Sequence, residues 1–552
     1  MKDTSNAPAI QVGAFLQLGS PTPPPLALTN PFPYVVRRTL THSPVSAILS
    51  AWPDSPSPSY RHATVRNFIG GVWREGDGTT IDVHAPATGA VIARTPLSTA
   101  AAVDDAVLAA HRALPAWSAT PIKERVQVLF RYRALLERHL DELTALIVEE
   151  HGKVDAEARA EILKAIELTE FACALPQLAT GEVLEVSKGV ECRTERHPVG
   201  VVASIVPFNF PSMVPHWTIP NAIALGNCMI LKPSEMVPLS AGRIAALLTE
   251  AGLPAGVFNV VHGSRAVVEA LCDHPDISAI TFVGSTRVAK EVYRRGTSHL
   301  KRVLALGGAK NHLIVMPDAE PEMTSSNVAA SMSGCSGQRC MAASVMVAVG
   351  GIDAPTATDA IDAIVARVVE QARKLVPGQT LGPVISREAK ARIERYIDEA
   401  EQAGARVLLD GRDVVVHGRE GGFYVGATVI DGVTPDMRIA QDEVFGPVLA
   451  IVRAPTLDRA LEIEAASPFG NAAAVFTERG STARYVAERA TAGMIGVNVG
   501  VPVPREPFGF GGWGESSFGV GDITGRGSIE FWTKTKKTTT KWNREAGTNW
   551  MS

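Results

Sequence analysis

Short apolar runs alternate with amphipathic stretches between residues 201 and 306. Four of the runs have the length of buried strands, and they cover residues 201–206, 228–231, 257–261 and 279–283. Apolar residues at three- and four-residue intervals predict helices at about 215–226, 239–252, 264–273 and 286–296. Strands and helices that alternate in this order are typical of a parallel, doubly wound α/β sheet.

The flanking sequence adds further elements. Ahead of the sheet it predicts a short hairpin at 67–73, helices over 101–116, 122–151 and 155–178, and a β-hairpin at 181–196. Beyond the sheet, a second α/β region is predicted from an apolar run at Leu313, a helical stretch at 386–403 and a run at 450–453. The tail at 528–541 is predicted to be β-rich.

We therefore expect an α/β protein with a doubly wound, Rossmann-like domain over 67–306 and a second α/β domain over 307–505. The C-terminal segment, 506–552, is expected to return to the first domain and to end in a strand. Residues 1–66 contain 11 of the 37 prolines, and such a composition buries too little apolar surface to order itself. We expect a disordered extension there, and a docking arm or targeting sequence is the functional alternative.

The composition excludes several classes of protein. Lys and Arg number 53 against 57 Asp and Glu, and the net charge of −4 offers no positive field for nucleic acid. No run of 18 apolar residues predicts a membrane span, and no secretory signal is visible. The six cysteines are too sparse for a disulfide framework and lack the spacing of metal ligands. We expect a cytoplasmic protein without a bound metal.

In a doubly wound sheet, ligands bind beyond the carboxyl ends of the strands, so the residues that follow each strand are candidates. Gly284-Ser285-Thr286 begins a helix and has the features of a phosphate site, with an ordinary helix N-cap as the alternative. Lys232 and Glu235 are placed to bind ribose hydroxyls, with a solvated salt bridge as the alternative. An acidic partner for the 2′-hydroxyl repels a 2′-phosphate and favours NAD over NADP.

Cys340 is the candidate nucleophile. It follows Arg339, and a guanidinium beside a thiol can lower the thiol pKa into the nucleophilic range. The alternative for a single cysteine is a small buried hydrophobic residue, and that interpretation is kept for Cys335. Taken alone, the local sequence leaves both interpretations of Cys340 open.

Five motifs in a fixed order link these candidates. They are PFNFP at 207–211, KPSE at 232–235, FVGST at 282–286, GQRC at 337–340 and EVFGP at 443–447. In this order and at these separations they resemble the aldehyde dehydrogenase superfamily over residues 67–545. The resemblance implies that 67–306 binds NAD and that 307–505 is the catalytic domain. It also implies that the hairpin at 181–196 and the C-terminal strand form a small β oligomerisation element.

The resemblance implies roles for individual residues. Cys340 is expected to attack the aldehyde, and Asn209 to donate a hydrogen bond to the resulting oxyanion. The residues expected to bind NAD are Lys232 and Glu235 at the adenosine ribose, Gly284 and Ser285 at the pyrophosphate, Glu443 at the nicotinamide ribose, and also Phe208 and Phe445. His312 belongs to a shared motif, but no chemical step requires it, and a structural hydrogen-bonding role is expected.

One position departs from the superfamily pattern. Most members carry a glutamate about 34 residues before the cysteine as the base that activates water, and Leu306 stands there in this chain. General-base assistance contributes about 10²–10⁴-fold, so hydrolysis of a thioester should be slow. A thiol acceptor does not need that help, and we expect coenzyme A (CoA) as co-substrate. GAKNH at 308–312 likewise resembles the CoA-acylating methylmalonate-semialdehyde dehydrogenase branch.

That branch implies a reaction and a substrate class. Methylmalonate or malonate semialdehyde would be oxidised through a Cys340 thioester and released as propionyl-CoA or acetyl-CoA with loss of CO₂. Arg339 and Arg125 are implied to bind the substrate carboxylate, because a guanidinium binds a carboxylate through two hydrogen bonds. For Arg125 a solvated helix face is the alternative. The pathway served would be valine, inositol or β-alanine breakdown.

Two other functions fit the same motifs. Leu306 disfavours a hydrolytic NAD(P)-dependent aldehyde dehydrogenase that acts on another semialdehyde. The joint presence of Cys340, Asn209 and Glu443 disfavours a non-catalytic NAD-binding relative. The exposed edges of the predicted hairpin and C-terminal strand would pair across subunits, so we expect a homodimer or homotetramer with a small-molecule substrate.

Overall fold

The computed structural model describes His62, residues 64–350 and residues 355–542. In chain order, the strands of these residues are β1 (Asn67–Ile69), β2 (Val72–Arg74), β3 (Thr80–His84), β4 (Val91–Pro96), β5 (Val183–Ser187), β6 (Val190–Pro198), β7 (Val201–Ile205), β8 (Cys228–Lys232), β9 (Phe258–Val260), β10 (Ile277–Val283), β11 (Arg302–Leu306), β12 (Asn311–Val315), β13 (Ala343–Val349), β14 (Arg406–Leu409), β15 (Thr428–Asp431), β16 (Val448–Ala454), β17 (Phe469–Gly470), β18 (Ala472–Phe476), β19 (Met494–Val497), β20 (Trp513–Gly514), β21 (Ser517–Phe518) and β22 (Thr533–Lys541).

The helices of the same residues are α1 (Ala100–Ala119), α2 (Ile122–Arg138), α3 (Leu140–His151), α4 (Asp155–Cys173), α5 (Leu175–Leu178), α6 (Met213–Ala224), α7 (Leu239–Glu250), α8 (Arg265–Asp273), α9 (Thr286–Ser298), α10 (Pro321–Ser333), α11 (Pro355–Arg373), α12 (Arg387–Gln402), α13 (Arg438–Gln441), α14 (Leu457–Ala465), α15 (Gly480–Arg489) and α16 (Gly527–Trp532). A short 3-10 turn, Gly334–Gly337, follows α10.

The first large sheet has the strand order β2-β1-β9-β8-β7-β10-β11-β21. Its central strands are parallel, and the chain moves outward from β7 through β8 to β9 before it crosses back to β10 and β11. Helices α1, α6, α7, α8 and α9 pack on these strands and share one apolar core with them. The predicted doubly wound fold is confirmed, and the bounds of its four strands and four helices differ from prediction by at most two residues.

The second large sheet has the order β14-β15-β16-β13-β12-β18-β19 and is parallel apart from β14. Alternate residues of its strands contribute to two separate apolar clusters, as expected for a sheet that buries both faces. Strand β12 begins at Asn311, shortly after β11 of the first sheet ends at Leu306. The second α/β region is confirmed, and the division of the chain into domains at 306 and 505 stays a prediction.

A small antiparallel sheet of order β22-β6-β5 joins the predicted hairpin to the last described strand. The hairpin is confirmed, and it turns at Lys188 and Gly189, where Gly189 has a φ of 71°. The β prediction for 528–541 is wrong at its start, because residues 527–532 form α16. Phe531 and Trp532 of that helix are buried in the first sheet's core, and this packing sets the local structure.

The predicted single helix over 122–151 is two helices that meet at His139. There the backbone N–H bonds to Leu135 O at 2.9 Å and ends α2. The His139 ring lies 2.7 Å from the Glu142 carboxylate in the first turn of α3. The apolar pattern continues through this junction, so periodicity alone did not predict the break.

The interpretation of residues 1–66 falls, except for His62 and residues 64–66, outside the described residues. Within the described part of the chain, no helix combines the length and the apolar character that crossing a membrane requires.

Candidate active site

A cavity of about 840 Å³ lies beside the carboxyl ends of β7, β8 and β10. Parts of α8 and α9 line it, and so do Cys340 and Glu443, which come from the second half of the chain. The strand order of the first sheet reverses between β7 and β10. Doubly wound sheets bind ligands at such a reversal, so the topology of the backbone places this cavity.

Lys232 and Glu235 line the cavity where β8 ends. The Lys232 Nζ and a Glu235 carboxylate oxygen are 2.9 Å apart, so the salt bridge considered as the alternative is present. It is not a solvated pair, because Lys232 is only 5% exposed. A buried ammonium and a half-buried carboxylate therefore offer one donor and one acceptor to hydroxyl groups in the cavity.

Gly284 and Ser285 line the cavity at the beginning of α9. Ser285 occupies the N-cap position, but its side chain forms no capping hydrogen bond. The ordinary N-cap interpretation is therefore not what the structure shows. The Ser285 hydroxyl and the first backbone N–H groups of α9 are available to an anion, which the helix dipole also favours.

Glu443 follows α13 and lies half-buried in the cavity wall. One of its carboxylate oxygens accepts a hydrogen bond from the Ala309 N–H at 3.1 Å. Burial raises the pKa of Glu443 to about 7, although that hydrogen bond and the charges of Lys310 and Arg392 oppose the shift. Gly308 gives this carboxylate its space, since a Cβ at Gly308 would overlap it.

Two phenylalanines of the predicted site lie together. Phe208 and Phe445 line the cavity, and their rings meet edge to face with centroids 5.8 Å apart. Phe445 has a φ of 53°, a left-handed conformation that a bulky residue seldom adopts. Arg392, which the sequence analysis missed, also lines the cavity and donates a hydrogen bond to Val444 O at 2.9 Å. That bond fixes the turn that carries Glu443 and Phe445.

Cys340 lies in an irregular turn that follows the 3-10 turn Gly334–Gly337. Asn209 reaches this turn from the loop after β7, and its Nδ2 donates a hydrogen bond to Gln338 O at 2.8 Å. The Gln338 side chain accepts a hydrogen bond from Ile385 N at 3.0 Å. Asn209 and Cys340 both line the cavity, so the structure brings the two predicted catalytic side chains to one place.

Burial raises the pKa of the Cys340 thiol to about 12. The nearby Glu443 charge raises this pKa further, and Arg339 lowers it by a smaller amount. The expectation that Arg339 gives a net lowering is therefore wrong for this structure, because loss of hydration outweighs the guanidinium. With this pKa the thiol keeps its proton at pH 7, so the predicted role as a nucleophile would require the loss of that proton.

Arg339 is half-buried, and its guanidinium packs on Gly334, where a Cβ would overlap it. Within the described part of the chain, its side chain forms no ion pair and no hydrogen bond. Arg339 is not part of the cavity wall that carries Glu443. An arginine without an acidic partner beside a thiol can bind a carboxylate through two hydrogen bonds.

The prediction that Arg125 contacts the substrate is wrong. Arg125 is buried in α2, and its guanidinium donates to three backbone carbonyls, those of Ser118, Thr120 and Ala224. These carbonyls lie at the ends of α1 and α6, where helices leave acceptors without partners. Burial lowers the pKa of Arg125 to about 10, so the group stays charged and has a structural role.

Two groups of residues that support the site were missed by the sequence analysis. Lys153 and Glu161 form a fully buried ion pair, and Glu161 also accepts from the N–H groups of Ser212 and Met213 at 2.7 and 3.0 Å. This pair fixes the beginning of α6, just after the loop that carries Asn209. A charged residue on the apolar side of a helix, as Glu161 is on α4, is the signal that could have indicated it.

The second group consists of Asn311 and Asn471, whose side chains donate to the Cys340 carbonyl at 2.7 and 3.0 Å. Asn311 stands in the GAKNH motif but received no role, and no local signal marks Asn471.

His312 is buried, and burial lowers its pKa to about 4, so its ring is neutral. Among the residues described here, no three His, Cys, Asp or Glu side chains are grouped as metal ligands.

Comparison with known proteins places this site in context. Residues 73–538 match the model of the aldehyde dehydrogenase family. Malonate-semialdehyde dehydrogenase 2 from Bacillus thuringiensis (strain Al Hakam) is 45% identical over 489 residues, which cover 87% of this chain and 98% of the relative. Malonate-semialdehyde dehydrogenase 1 from Geobacillus thermodenitrificans (strain NG80-2) is 46% identical over 488 residues, with 87% and 99% covered.

Two solved structures are also similar. The methylmalonate-semialdehyde dehydrogenase from Oceanimonas doudoroffii superposes with a TM-score of 0.85 and 43% identity, covering 87% of this chain and 99% of its own. A protein from Sinorhizobium meliloti 1021, designated methylmalonate-semialdehyde dehydrogenase and complexed with NAD, gives a TM-score of 0.85 and 39% identity, with 88% and 99% covered.

The structural role of Arg125 can be tested directly. We expect Arg125→Met to lower the free energy of unfolding by about 2–4 kcal/mol, because buried carbonyls lose a charged donor. The rate at which iodoacetamide alkylates Cys340 in the folded protein should not change. Urea unfolding and peptide mapping of the alkylated protein measure the two quantities. Arg74→Met, which removes an exposed pair with Asp105, is the control and should cost less than about 1 kcal/mol. An unchanged free energy of unfolding together with slower alkylation of Cys340 would indicate instead that Arg125 acts in the site.

Proposed function

The chain belongs to the aldehyde dehydrogenase family, and from this we propose that it catalyses the NAD-dependent, CoA-acylating oxidation of malonate or methylmalonate semialdehyde. The products would be acetyl-CoA or propionyl-CoA and CO₂. The observation that carries the proposal is the placement of the Cys340 thiol in the cavity wall, directly after Arg339, which has no ion-pair partner among the described residues. The relatives named for these two semialdehydes support the choice of substrate.

The cavity fits NAD. Lys232 and Glu235 would bind the adenosine ribose, and the beginning of α9 with Gly284 and Ser285 would receive the pyrophosphate. Glu443 would bind the second ribose, with Phe208 and Phe445 against the nicotinamide. NAD, when bound, supplies the acceptor for the hydride that leaves the aldehyde carbon. At the Lys232–Glu235 end of the cavity, the extra phosphate of NADP would meet the Glu235 carboxylate, which favours NAD.

The first half of the reaction would form a thioester on Cys340. Its sulfur, after loss of the proton, bonds to the aldehyde carbon, and the carbonyl oxygen becomes an oxyanion. Asn209 keeps one amide N–H for Gln338 O, which leaves its second N–H for that oxyanion, together with the backbone N–H of Cys340. A donor of this kind is worth about 10²–10³ in rate. Loss of hydride from the same carbon then leaves the acyl group on sulfur.

The second half of the reaction would transfer the acyl group to CoA. Leu306 is 4% exposed and belongs to the apolar core of the first sheet, so it supplies no base for water. The CoA thiolate would attack the thioester carbonyl, the bond from that carbon to the Cys340 sulfur would break, and the cysteine would leave as a thiolate. A β-carboxylate in the acyl group can depart as CO₂, because the thioester carbonyl accepts the electron pair as an enolate, and the enolate carbon then takes up a proton from solvent.

Arg339 would bind the substrate carboxylate and so select semialdehydes that carry one. Because no acidic side chain of the described residues pairs with Arg339, a carboxylate ligand would complete its hydrogen bonding without displacing one of them. The same guanidinium opposes the burial that raises the pKa of Cys340. Arg339 would therefore help both substrate choice and thiol ionisation.

The chain would act as a homodimer or homotetramer through its small sheet. β5 is an edge strand on which Val183, Leu184 and Val186 are 51–65% exposed. An apolar edge of this kind is stabilised when a second subunit covers it.

The six cysteines are all free, which agrees with a reducing compartment, and we place the protein in the cytoplasm.

The acyl acceptor is tested by NADH formation from NAD and methylmalonate semialdehyde with and without CoA. We expect one rapid equivalent of NADH per site without CoA, followed by turnover at least about 10²-fold slower than with CoA, because water lacks a base. Propionyl-CoA should accumulate in step with NADH, as measured by chromatography. Equal rates in both conditions, with a free acid as product, would contradict the proposal and favour a hydrolytic enzyme.

The role of Arg339 is tested through Gly334. In Gly334→Ala the new methyl group displaces the guanidinium while Arg339 remains in the chain. We expect kcat/KM for malonate semialdehyde to fall about 10- to 100-fold, the equivalent of one or two charged hydrogen bonds, with little change for propanal. Gly480→Ala, at a position where a Cβ meets nothing, is the control. An equal fall in kcat/KM for both aldehydes would show that Arg339 does not bind the substrate carboxylate.

The role of Glu443 is tested through Gly308. Gly308→Ala fills the space that the Glu443 carboxylate occupies and should push it out of place. The Kd for NAD should rise about tenfold, the value of a lost charged hydrogen bond, in a direct binding titration. Again Gly480→Ala should bind NAD normally. Unchanged NAD affinity in Gly308→Ala would remove Glu443 from the cofactor site.

A further inference from the structure

The backbone carbonyl of Cys340 accepts hydrogen bonds from two side-chain amides. Asn311 Nδ2 lies 2.7 Å from this oxygen, and Asn471 Nδ2 lies 3.0 Å from it. The two asparagines are 29 and 131 residues from Cys340 along the chain. Two distant segments therefore converge on the peptide unit of the residue that we propose as the nucleophile.

Both asparagines stand at the amino ends of neighbouring strands in the second sheet. Asn311 is the first residue of β12, and Asn471 directly precedes β18. β12 lies between β18 and β13, and β13 begins at Ala343, three residues after Cys340. The amino ends of three adjacent strands thus meet at the Cys340 peptide, and the sheet fixes where the two amides can be.

The two amides differ in what else they contact. Asn311 also donates to Ala342 O at 3.0 Å and accepts from Ala472 N at 3.2 Å, so it completes the hydrogen bonding of the strand ends. The other hydrogen bond of Asn471 goes to Met341 Sδ at 3.0 Å. Asn471 is 6% exposed, and both of its partners are in the nucleophile turn. A role limited to strand pairing explains Asn311 but not Asn471.

The turn needs such external support. Cys335, Ser336 and Gly337 have φ values of 53°, 56° and 72°, and for the two non-glycine residues this left-handed conformation costs about 1–2 kcal/mol each. Regular structure resumes only at β13, so no ladder of backbone hydrogen bonds fixes residues 338–342. The carbonyl of Cys340 sets the ψ angle of that residue. Holding this oxygen therefore restricts ψ, and with it the directions of the Cα–Cβ bond that carries the thiol and of the Cys340 N–H.

We propose that Asn471, with Asn311 beside it, is a positioning residue that orients Cys340 for attack by fixing its carbonyl. The proposal rests on the proposed function of Cys340 as the nucleophile. Asn471 touches neither substrate nor cofactor in this scheme, and it acts on the reaction only through the peptide unit of Cys340. Its loss should slow the step in which Cys340 attacks and leave the binding of NAD unchanged.

The test uses three variants of the full chain. Asn471→Leu keeps the approximate volume and removes the donor. Asn471→Asp keeps the shape, repels the Cys340 carbonyl when ionised and donates to it when protonated. Asn259→Leu is the matched control, because Asn259 is a fully buried amide with hydrogen bonds to Gly70 N and Gly256 O and does not line the cavity.

We expect Asn471→Leu to slow the first equivalent of NADH from malonate semialdehyde about 10- to 100-fold, as misplacement of a reacting group does. The KM and Kd for NAD should stay within about twofold. In Asn471→Asp, the rate relative to wild type should rise as the pH falls from 8 to 6, because burial raises the aspartic acid pKa into this range and the neutral acid donates. A purely structural loss would not produce that pH dependence.

A second readout does not depend on the aldehyde or on CoA. The alkylation rate of Cys340 by iodoacetamide, with Cys192 of the same sample as internal reference, should fall in Asn471→Leu and not in Asn259→Leu. If wild type oxidises no semialdehyde, the proposed function fails while this readout still tests the inference. Wild-type alkylation and a wild-type first turnover in both Asn471 variants would overturn it. The inference would also be overturned if Asn471→Leu and Asn259→Leu lowered the alkylation rate and the first-turnover rate equally, in proportion to their loss of melting temperature.

Discussion

The structure depends on how the Cys340 turn is fixed. This turn has little regular secondary structure and follows a 3-10 turn in which two non-glycine residues, Cys335 and Ser336, have positive φ. Its carbonyl groups accept hydrogen bonds from side-chain amides that arrive from both large sheets: Asn209 from the first, and Asn311 and Asn471 from the second. A side chain on such a turn is positioned by the tertiary structure around it, so both sheets have to form before these hydrogen bonds exist.

Burial gives the site its electrostatic character. The Cys340 thiol and the Glu443 carboxyl both have raised pKa values, because the loss of hydration on burial outweighs the nearby positive charges and hydrogen bonds. Arg339 is the charge that works in the opposite direction for the thiol, and it has no acidic partner among the described residues. The arrangement favours a thiol that stays neutral until a ligand changes its surroundings.

Two glycines leave the space that two charged side chains of the site occupy. Gly308 and Gly334 leave room for the Glu443 carboxylate and the Arg339 guanidinium, and a single methyl group at either position would displace the charged side chain. The buried pair of Lys153 and Glu161 fixes the beginning of α6 next to the loop that carries Asn209. The small size of Gly308 and Gly334 therefore decides where Glu443 and Arg339 can lie. A buried ion pair has the same effect on the beginning of α6.

The sequence by itself determined the doubly wound sheet, because strand and helix periodicities alternate clearly between 201 and 306. It also indicated Cys340, Asn209, Glu443 and the residues that follow the strands, because their motifs are local. It was wrong about Arg125, since a helical pattern does not tell whether an arginine faces solvent, a ligand or the carbonyls at the ends of α1 and α6. Only the tertiary structure decided the positions of Asn471 and Glu161 and the direction of the Cys340 pKa shift. Each of these depends on burial or on contacts between residues far apart in the chain, and a local sequence pattern indicates neither the burial nor the contacts.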